Sequence, residues 1–160
     1  MPKKILIAGD GGQGVQTISE IIGQAAFQSN YFVSVIPNYG LEQRGGVSLA
    51  YVQISKDKIV YPKFQVPNIL VIMSEQADLR TKVYQKKGVD VVRLDKYKKI
   101  LEDEKVSVGS LNLFVLGILV KKLAESGLNE KVVEQVLKNK LEKKPNWSEN
   151  LKAFKIGLTA

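Results

Sequence analysis

The chain has 160 residues, of which 24 are Lys or Arg and 16 are Asp or Glu, and its formal net charge is +8. It contains no Cys and no His, which excludes cysteine-ligated iron–sulfur clusters, thiolate nucleophiles, the usual zinc sites and Ser-His catalytic pairs. Any redox or acyl-transfer centre that this protein serves is therefore expected on another chain.

The composition is that of a globular protein, with 44% hydrophobic and 25% charged residues. A chain of this length suits one compact core, so a single domain is predicted over residues 1–160. The positive charge favours anionic partners, but the lysines are spread along the chain, which indicates a solvated face and no nucleic-acid site. The longest apolar segment, 106–120, is interrupted by polar residues and falls short of the ~20 residues of a membrane span. We predict a cytoplasmic protein that binds neither nucleic acid nor membrane.

The first turn of the chain is a candidate phosphate site. Residues 5–7 form an apolar run typical of a buried strand, and the glycines that follow fit the pattern G-x-G-x-x-G. Such glycines allow a tight turn, close approach of a pyrophosphate, and close packing of helix on strand. The candidate binding residues are Gly9, Gly11, Gly12, Gln13 and Gly14, and the Gln13 amide is a candidate donor to a ligand oxygen. The alternative is that these glycines serve packing alone.

A helix is expected from Val15 and a second strand over 32–36, ending at Pro37, which completes a βαβ unit. A second polar segment then follows, with Tyr39, Gly40, Glu42, Gln43, Arg44, Gly45 and Gly46 as candidate binding residues. The planar guanidinium of Arg44 suits a phosphate or carboxylate, although a surface pair with Glu42 is the alternative. Both glycine segments follow strands of one βαβ unit, so they are expected to share a crevice.

Two common nucleotide motifs fit poorly. An NAD-binding unit places an acidic residue at the end of its second strand, and here the chain reads Ile36-Pro37-Asn38-Tyr39. A P-loop requires Lys-Ser or Lys-Thr after its last glycine, and here Val15-Gln16 stands there.

The rest of the chain alternates predicted strands and helices. Strands are expected over 47–54, 59–61, 69–73 and 89–94, the second of them as an antiparallel neighbour stopped by Pro62. A helix capped by Ser74 or Glu75 is expected to end near Gly88, with Ala77, Leu79 and Val83 as apolar positions. A second is expected over 111–125 with Gly127 as its C-cap. Two more are expected, one from its cap Asn129 to before Pro145 and one from its cap Ser148 onward. The charged connection 95–105 is expected to be exposed. This order predicts a single three-layer α/β/α Rossmann-like domain with a mixed, mostly parallel sheet.

The paired motifs resemble a known family. Gly9-Asp10-Gly11-Gly12-Gln13-Gly14-Val15 followed by Tyr39-Gly40-Leu41-Glu42-Gln43-Arg44-Gly45-Gly46 is similar to the gamma subunit, or equivalent domain, of 2-oxoacid:ferredoxin oxidoreductases. The similarity continues through Ile54-Ser55, Asn112 with Gly117, and residues 150–157. Pyruvate-type members tend to carry Arg-Gly-Gly-Gln-Gly and Arg-Arg-Gly-Ala-Pro. Asp10 and Gln43-Arg44-Gly45-Gly46 instead resemble the 2-oxoglutarate and indolepyruvate branches, and Tyr39-Gly40 favours 2-oxoglutarate.

The resemblance implies a subunit, inactive alone, of an enzyme that oxidatively decarboxylates a 2-oxoacid, passes electrons to ferredoxin and releases an acyl-CoA. It places thiamine diphosphate, Mg and the Fe-S clusters on partner alpha, beta and possibly delta subunits, and it associates the gamma subunit with coenzyme A binding and assembly. It puts the CoA pyrophosphate on the glycine loop and makes Arg44 a candidate phosphate clamp, with no catalytic residue and no metal ligand on this chain. Two alternatives stay open: a free-standing NAD(P)-binding Rossmann oxidoreductase, and a purely structural subunit.

Overall fold

The computed structural model describes residues 1–39 and 46–160. In these two ranges five strands form an open sheet: β1 (Lys3–Asp10), β2 (Phe32–Tyr39), β3 (Val47–Ser55), β4 (Ile69–Ile72) and β5 (Asp90–Arg93), in the order β2-β3-β1-β4-β5. The strands β1, β4 and β5 are parallel, and β3 is antiparallel to both of its neighbours. Only β3 therefore runs against the other strands, which confirms a mixed, mostly parallel sheet.

Within the described residues, six α-helices accompany the sheet: α1 (Val15–Gln28), α2 (Glu75–Arg80), α3 (Lys98–Asp103), α4 (Leu111–Leu123), α5 (Glu130–Leu141) and α6 (Trp147–Thr159). Side chains of β1 alternate between the two sides of the sheet, as the two-residue period of a strand requires. Ile5 and Ile7 pack with residues of α1, α4, α5 and α6, whereas Leu6 and Ala8 pack with Phe64 and with Ala77 of α2. Both faces of β1 are covered, as the continuous apolar run predicted.

The strand β2 is longer than expected because it continues through Pro37 to Tyr39. Pro37 lies opposite Ala50 of β3 in the antiparallel ladder. Proline has no N–H to donate, and β2 tolerates it because β2 lies at the edge of the sheet and pairs on one side only.

The strand predicted over 59–61 is wrong, since these residues form no regular structure. The strand β3, which the 59–61 segment was expected to pair with, already pairs with β1 on one side and β2 on the other. No free edge of β3 is left, and Val60 and Tyr61 are 72% and 80% exposed. The antiparallel member of the sheet is β3 itself.

Two helix predictions and the predicted exposure of the 95–105 connection also need correction. The helix α2 ends at Arg80 and is followed by a short 3₁₀ turn, Lys82–Tyr84, so that Leu79 and Val83 are both 67% exposed. The helix α6 begins at Trp147 with Asn146 at the N-cap position instead of Ser148. The 95–105 connection contains α3, and Ile100 and Leu101 within it pack against the core.

The helices α4 and α6 cross in close contact. A Cβ atom built at Gly117 of α4 would lie 2.8 Å from the backbone carbon of Gly157 in α6, and one built at Gly157 would lie 2.9 Å from the carbonyl carbon of Phe114. At one end of this crossing, Ser110 Oγ donates to Asn150 Oδ1 at 2.7 Å, and both residues are buried. Gly117, Asn150 and Gly157, which carry part of the family resemblance, therefore define one helix crossing.

Within residues 1–39 and 46–160, no helix is both long enough and apolar enough to span a bilayer.

Candidate functional site

The candidate site lies at the carboxyl ends of β1 and β4. From β1 the chain passes through α1 toward β2 on one side, and from β4 it passes through α2 toward β5 on the other. The two helices pack on opposite faces of the sheet. Such a reversal opens a crevice at the carboxyl ends of the strands, where ligands bind in open α/β sheets.

The predicted glycine loop connects β1 to α1 in this crevice. Gly14 is the N-cap of α1 with φ of 77°, and Gly12 has φ of 89°. The first helical hydrogen bond runs from Ile18 N–H to the Gly14 carbonyl at 3.1 Å. The backbone N–H groups of residues 15–17 precede this bond and have no carbonyl partner within the helix. No acidic residue occupies the first turn of α1, so its positive dipole end is available to an anion.

Gly9 is required by close packing. A Cβ atom at this position would lie 2.9 Å from Gln13 Oε1, 3.0 Å from Val15 Cγ2 and 3.3 Å from Met73 Cβ. The first glycine therefore lets the loop fold tightly back on the ends of β1 and β4.

Gln13 makes two contacts to the backbone. Its Oε1 accepts from Asp10 N–H at 2.7 Å, and its Nε2 donates to the Met73 carbonyl at 3.3 Å. These bonds join the glycine loop to the end of β4, which is a structural role that the sequence did not indicate. The primary amide has a second N–H, so one donor remains for a ligand.

A second link across the crevice involves Asp10 and Ser74. The Ser74 hydroxyl donates to Asp10 Oδ1 at 2.6 Å and accepts from Ala77 N–H at 3.0 Å, so Ser74 is the N-cap of α2. The cap was predicted, whereas its connection to Asp10 was not. Together with Gln13, this link fixes the two strand ends that border the crevice.

The two glycine segments meet through the backbone. Gly11 N–H donates to the Gly46 carbonyl at 3.0 Å, immediately before β3 begins. The predicted residues Gly40, Glu42, Gln43, Arg44 and Gly45 lie outside the described residues. Tyr39 ends β2, paired in the ladder with Ser48. Gly46 therefore adjoins the glycine loop, whereas Tyr39 lies on β2, which β3 separates from β1.

The other wall of the loop is the start of α4. A Cβ atom at Gly14 would overlap the Asn112 amide, with Cγ of Asn112 at 2.8 Å. A cavity of about 130 Å³ lies between Gly12–Gly14 and the turn that precedes α4, and it is lined also by Val108, Gly109 and Leu111. Asn112 was noted only as part of the resemblance, and the structure shows that it covers Gly14.

A larger cavity of about 430 Å³ continues from Ser74 along the carboxyl ends of β4 and β5. Within it Arg93 Nη2 lies 2.7 Å from Asp78 Oδ1, which also accepts from Gln85 Nε2 at 2.8 Å. The hydrogen bond from Arg93, with those from Lys82 and Gln85, holds the pKa of Asp78 well below its usual value. Lys98 lines the same cavity and makes no ion pair among the described residues.

Several residues of this region were missing from the predicted site, among them Asp10, Ser74, Asn112 and Lys98. Asp10 is the last residue of β1 and Ser74 lies two residues beyond β4. A polar residue at the carboxyl end of a buried parallel strand is a usable sequence cue. No feature of the sequence predicts that Asn112 and Lys98 lie at the site. Both belong to later helices, and the position of these helices depends on the tertiary fold.

Comparison with known proteins gives consistent results. Residues 4–88 match the family model described as pyruvate ferredoxin/flavodoxin oxidoreductase. The 2-oxoglutarate synthase subunit KorC of Methanocaldococcus jannaschii is 30% identical over 98% of this chain and 92% of its own length. The KorC of Methanothermobacter marburgensis is 51% identical, over 48% of this chain and 42% of the relative.

Two solved structures share the fold. A chain of 2-oxoglutarate:ferredoxin oxidoreductase from Magnetococcus marinus, solved with 2-oxoglutarate, coenzyme A and succinyl-CoA, has a TM-score of 0.87 at 21% identity over 99% of this chain and 30% of that one. The keto/oxoacid ferredoxin oxidoreductase gamma subunit from Geobacter sulfurreducens has a TM-score of 0.78 at 19% identity, over 99% of this chain and 95% of that one. The family match and the M. jannaschii relative show that the chain belongs to the pyruvate ferredoxin/flavodoxin oxidoreductase family.

Proposed function

We propose that this chain is the gamma subunit of a cytoplasmic 2-oxoacid:ferredoxin oxidoreductase that converts 2-oxoglutarate, CoA and oxidised ferredoxin to succinyl-CoA, CO2 and reduced ferredoxin. Its own contribution is CoA binding and assembly. Alpha, beta and possibly delta subunits hold thiamine diphosphate, Mg and the Fe-S clusters, since this chain has no Cys to ligate a cluster. The observation that carries the proposal is the hydrogen bond from Gly11 to Gly46, which joins the two glycine segments at the crevice.

The crevice fits a pyrophosphate. The loop between Asp10 and Val15 exposes backbone on the side of Gly12, where a Cβ atom would meet nothing within 4 Å. The first-turn N–H groups of α1 and the dipole of this helix favour a dianionic group beside Gly12. A Cβ atom here would restrict this approach, which accounts for two successive glycines, Gly11 and Gly12, in the loop.

The role of this chain is to hold and orient CoA. The CoA thiol accepts the acyl group at the interface with the subunits that hold thiamine diphosphate. In this proposal the glycine loop holds the pyrophosphate and Arg44 is the phosphate clamp, because a guanidinium can bind two oxygens at once. Fixing CoA in this way would convert the encounter of its thiol with the acyl donor into a nearly unimolecular step.

Calorimetry of the assembled enzyme with CoA tests the proposal. Arg44→Ala should weaken CoA binding roughly ten- to a hundredfold, because it removes a charge-assisted contact worth about 1.5–3 kcal/mol. Gly12→Val should weaken binding as well, because its side chain would stand between the loop and the phosphate.

Gly88→Val is the matched control for Gly12→Val. Gly88 has φ of 90° and open space around its Cβ position, so the backbone strain is similar, but it lies before β5 and away from the crevice. If the affinity for CoA is unchanged in both Arg44→Ala and Gly12→Val, the assignment of the cofactor to this crevice is lost.

The contacts of Gln13 favour one competing function, that of a purely structural subunit. Both polar atoms of its amide already bond to backbone groups of this chain. On this alternative, Gln13→Ala and Arg44→Ala leave the turnover of the assembled enzyme intact. On the proposed function, Arg44→Ala raises the KM for CoA.

A further inference from the structure

The segment 56–68, between β3 and β4, has no regular secondary structure. Connections of this length inside a compact fold are uncommon, and many of them are functional. It lies at the amino end of β1, because Asn68 N–H donates to the Lys4 carbonyl and Asn68 Oδ1 accepts from Lys4 N–H, both at 2.7 Å. The glycine loop is at the other end of β1, roughly 20 Å away. The segment is therefore remote from the proposed CoA site.

The segment is fixed to the sheet at several points. Phe64 is buried and packs edge-to-face on Tyr51 with ring centroids 5.3 Å apart. The side chain of Gln53, which is 2% exposed, donates to the Tyr61 carbonyl at 2.6 Å. These contacts hold the backbone in one arrangement, so the side chains that point outward are presented on a preformed surface.

That surface combines positive charge with exposed apolar groups. A cleft of about 250 Å³ is lined by three lysines and one aspartate, namely Lys4, Lys58, Lys63 and Asp57, together with Val60, Tyr61 and Phe64. Among the described residues, none of the three lysines forms an ion pair. Tyr61 is 80% exposed and Val60 is 72% exposed. We call this surface the lysine cleft.

The ring of Tyr51 interacts with one lysine of the cleft. Lys63 Nζ lies 5.8 Å from the centroid of the Tyr51 ring, a cation–π geometry. Burial, with a hydrogen bond between the hydroxyls of Tyr51 and Tyr84 at 2.8 Å, raises the pKa of Tyr51 to about 12. The face of the Tyr51 ring stabilises the ammonium group of Lys63 in this geometry.

We propose that the lysine cleft binds an acidic segment of a partner protein chain within the assembled enzyme, with carboxylates on Lys58 and Lys63 and an apolar side chain against Val60 and Tyr61. The proposal rests on the proposed function insofar as the partner is a subunit of the same complex. Opposite charge supplies the steering and the register, and the exposed tyrosine supplies the apolar contact that protein interfaces favour.

A protein segment suits this surface better than a small anion. Phosphate or a nucleotide would use the lysines but would leave Val60 and Tyr61 facing water. A nucleic acid would need a longer run of cations than the lysines of this cleft provide. Only a chain that carries both carboxylates and an apolar side chain uses all parts of the surface.

Zero-length carbodiimide coupling of the complex purified from its native source tests this directly. The reagent joins a lysine amine to a carboxylate only where the two are already in contact. Peptide mapping should find Lys58 or Lys63 joined to Asp or Glu of a different subunit. If both lysines remain unmodified, or are joined only to a second copy of this chain, the proposal is overturned.

Charge reversal provides a second measurement. The double variant Lys58→Glu/Lys63→Glu should weaken association with the partner subunits roughly tenfold or more, because like charges then face each other. The control is Lys143→Glu/Lys144→Glu, which makes the same change in net charge at two exposed lysines beyond α5. Equal weakening in both variants overturns the proposal, as does protection of Lys58 and Lys63 from acetylation by inorganic phosphate or a short RNA instead of the partner subunits.

These outcomes are independent of CoA. If coupling at Lys58 or Lys63 is found while CoA binding is insensitive to Arg44→Ala, the CoA assignment fails and the lysine cleft stands. The reverse result removes the lysine cleft and leaves the proposed function intact.

Discussion

Gly14 has two reasons to be glycine, and they can be separated by mutation. Its φ of 77° lies in the left-handed region that other residues avoid, and its Cβ position is occupied by the Asn112 amide. Gly12 shares the positive φ but has open space around it. For folding, Gly12 is therefore required by its backbone conformation, whereas Gly14 is required also by packing against α4.

We expect Gly14→Ala to lower the free energy of unfolding by roughly 2 kcal/mol or more, since strain and overlap add, and Gly12→Ala by roughly 1 kcal/mol, since only strain acts. Urea denaturation measures both. Adding Asn112→Ala should recover part of the loss in Gly14→Ala, with a favourable coupling of about 1 kcal/mol in a double-mutant cycle. Additive losses would show that Asn112 does not restrict Gly14.

Asp78 makes the stability of this protein depend on pH in the acid range. Hydrogen bonds from Arg93, Lys82 and Gln85 lower the pKa of Asp78 in the folded state below the usual carboxyl value of 3.8. As the pH falls below that value, Asp78 is therefore protonated in the unfolded chain while it is still ionised in the folded one. The contribution of Asp78 is therefore fully present above that pH and is lost as the pH falls below it. The difference in unfolding free energy between wild type and Asp78→Asn should be constant near neutral pH and should shrink below 3.8.

The control for this prediction is Asp95→Asn, which removes an exposed carboxylate from the wall of the same cavity. Asp95 makes no ion pair among the residues that the structure describes, so its removal should leave the pH profile nearly unchanged. A profile for Asp78→Asn that runs parallel to wild type throughout the acid range would contradict the assigned role of the Arg93 pair.

Among the elements, the crossing of α4 and α6 depends on two facing glycines. Alanine at Gly117 or Gly157 places a methyl group against the backbone of the other helix, where no side chain can move aside. Each substitution should lower the free energy of unfolding by about 1–3 kcal/mol or more, the range for inserting a group into a packed core. Gly109→Ala is the control, expected to fall within about 0.5 kcal/mol, because its Cβ position is open. Equal effects at all three positions would exclude close packing as the reason for these glycines.

The sequence predicted those elements whose local pattern matches their tertiary environment. The start of α1 at Val15 could be predicted because a glycine loop precedes an apolar stripe. The start of α5 after Asn129 could be predicted because a capping side chain acts on its own helix, within a few residues. The strand prediction over 59–61 is wrong because a β-branched run does not reveal whether a sheet edge is free to pair with it. The predicted helix face at Leu79 and Val83 is exposed, because apolar spacing leads to burial only where another element packs against that face.

The candidate site shows the same division between local and distant contributions. The glycine loop and the junction at Gly46 could be predicted, because both follow strands of one βαβ unit. The bond of Gln13 to the Met73 carbonyl could not, because it joins residues that only the parallel pairing of β1 and β4 brings together. The contact between Asn112 and Gly14 could not be predicted either, because it depends on the position of α4, which packs against α6.

On the scale of the whole molecule, the two faces of the sheet are covered unequally. One face packs under α1, α4, α5 and α6, whereas the other is covered mainly by α2 and by the lysine-cleft segment through Phe64. Fewer buried apolar contacts imply a lower free energy of local opening. The thinly covered face also carries the proposed partner surface, so a subunit bound there would complete the burial of this side of the sheet.

Hydrogen exchange of the isolated chain tests this asymmetry. Amides of 56–68 and of α2 should exchange well before those of β1 and α4. Phe64→Ala should speed exchange in 56–68 selectively and lower the free energy of unfolding by about 3 kcal/mol, the low end for truncating a core phenylalanine. Phe27→Ala, at a side chain that is 71% exposed, should change neither quantity measurably. If Phe64→Ala instead accelerated β1 and α4 to the same degree, the two faces would open as one unit. The segment that forms the lysine cleft would then be as stable as the core, and the unequal covering of the sheet would have no consequence for its dynamics.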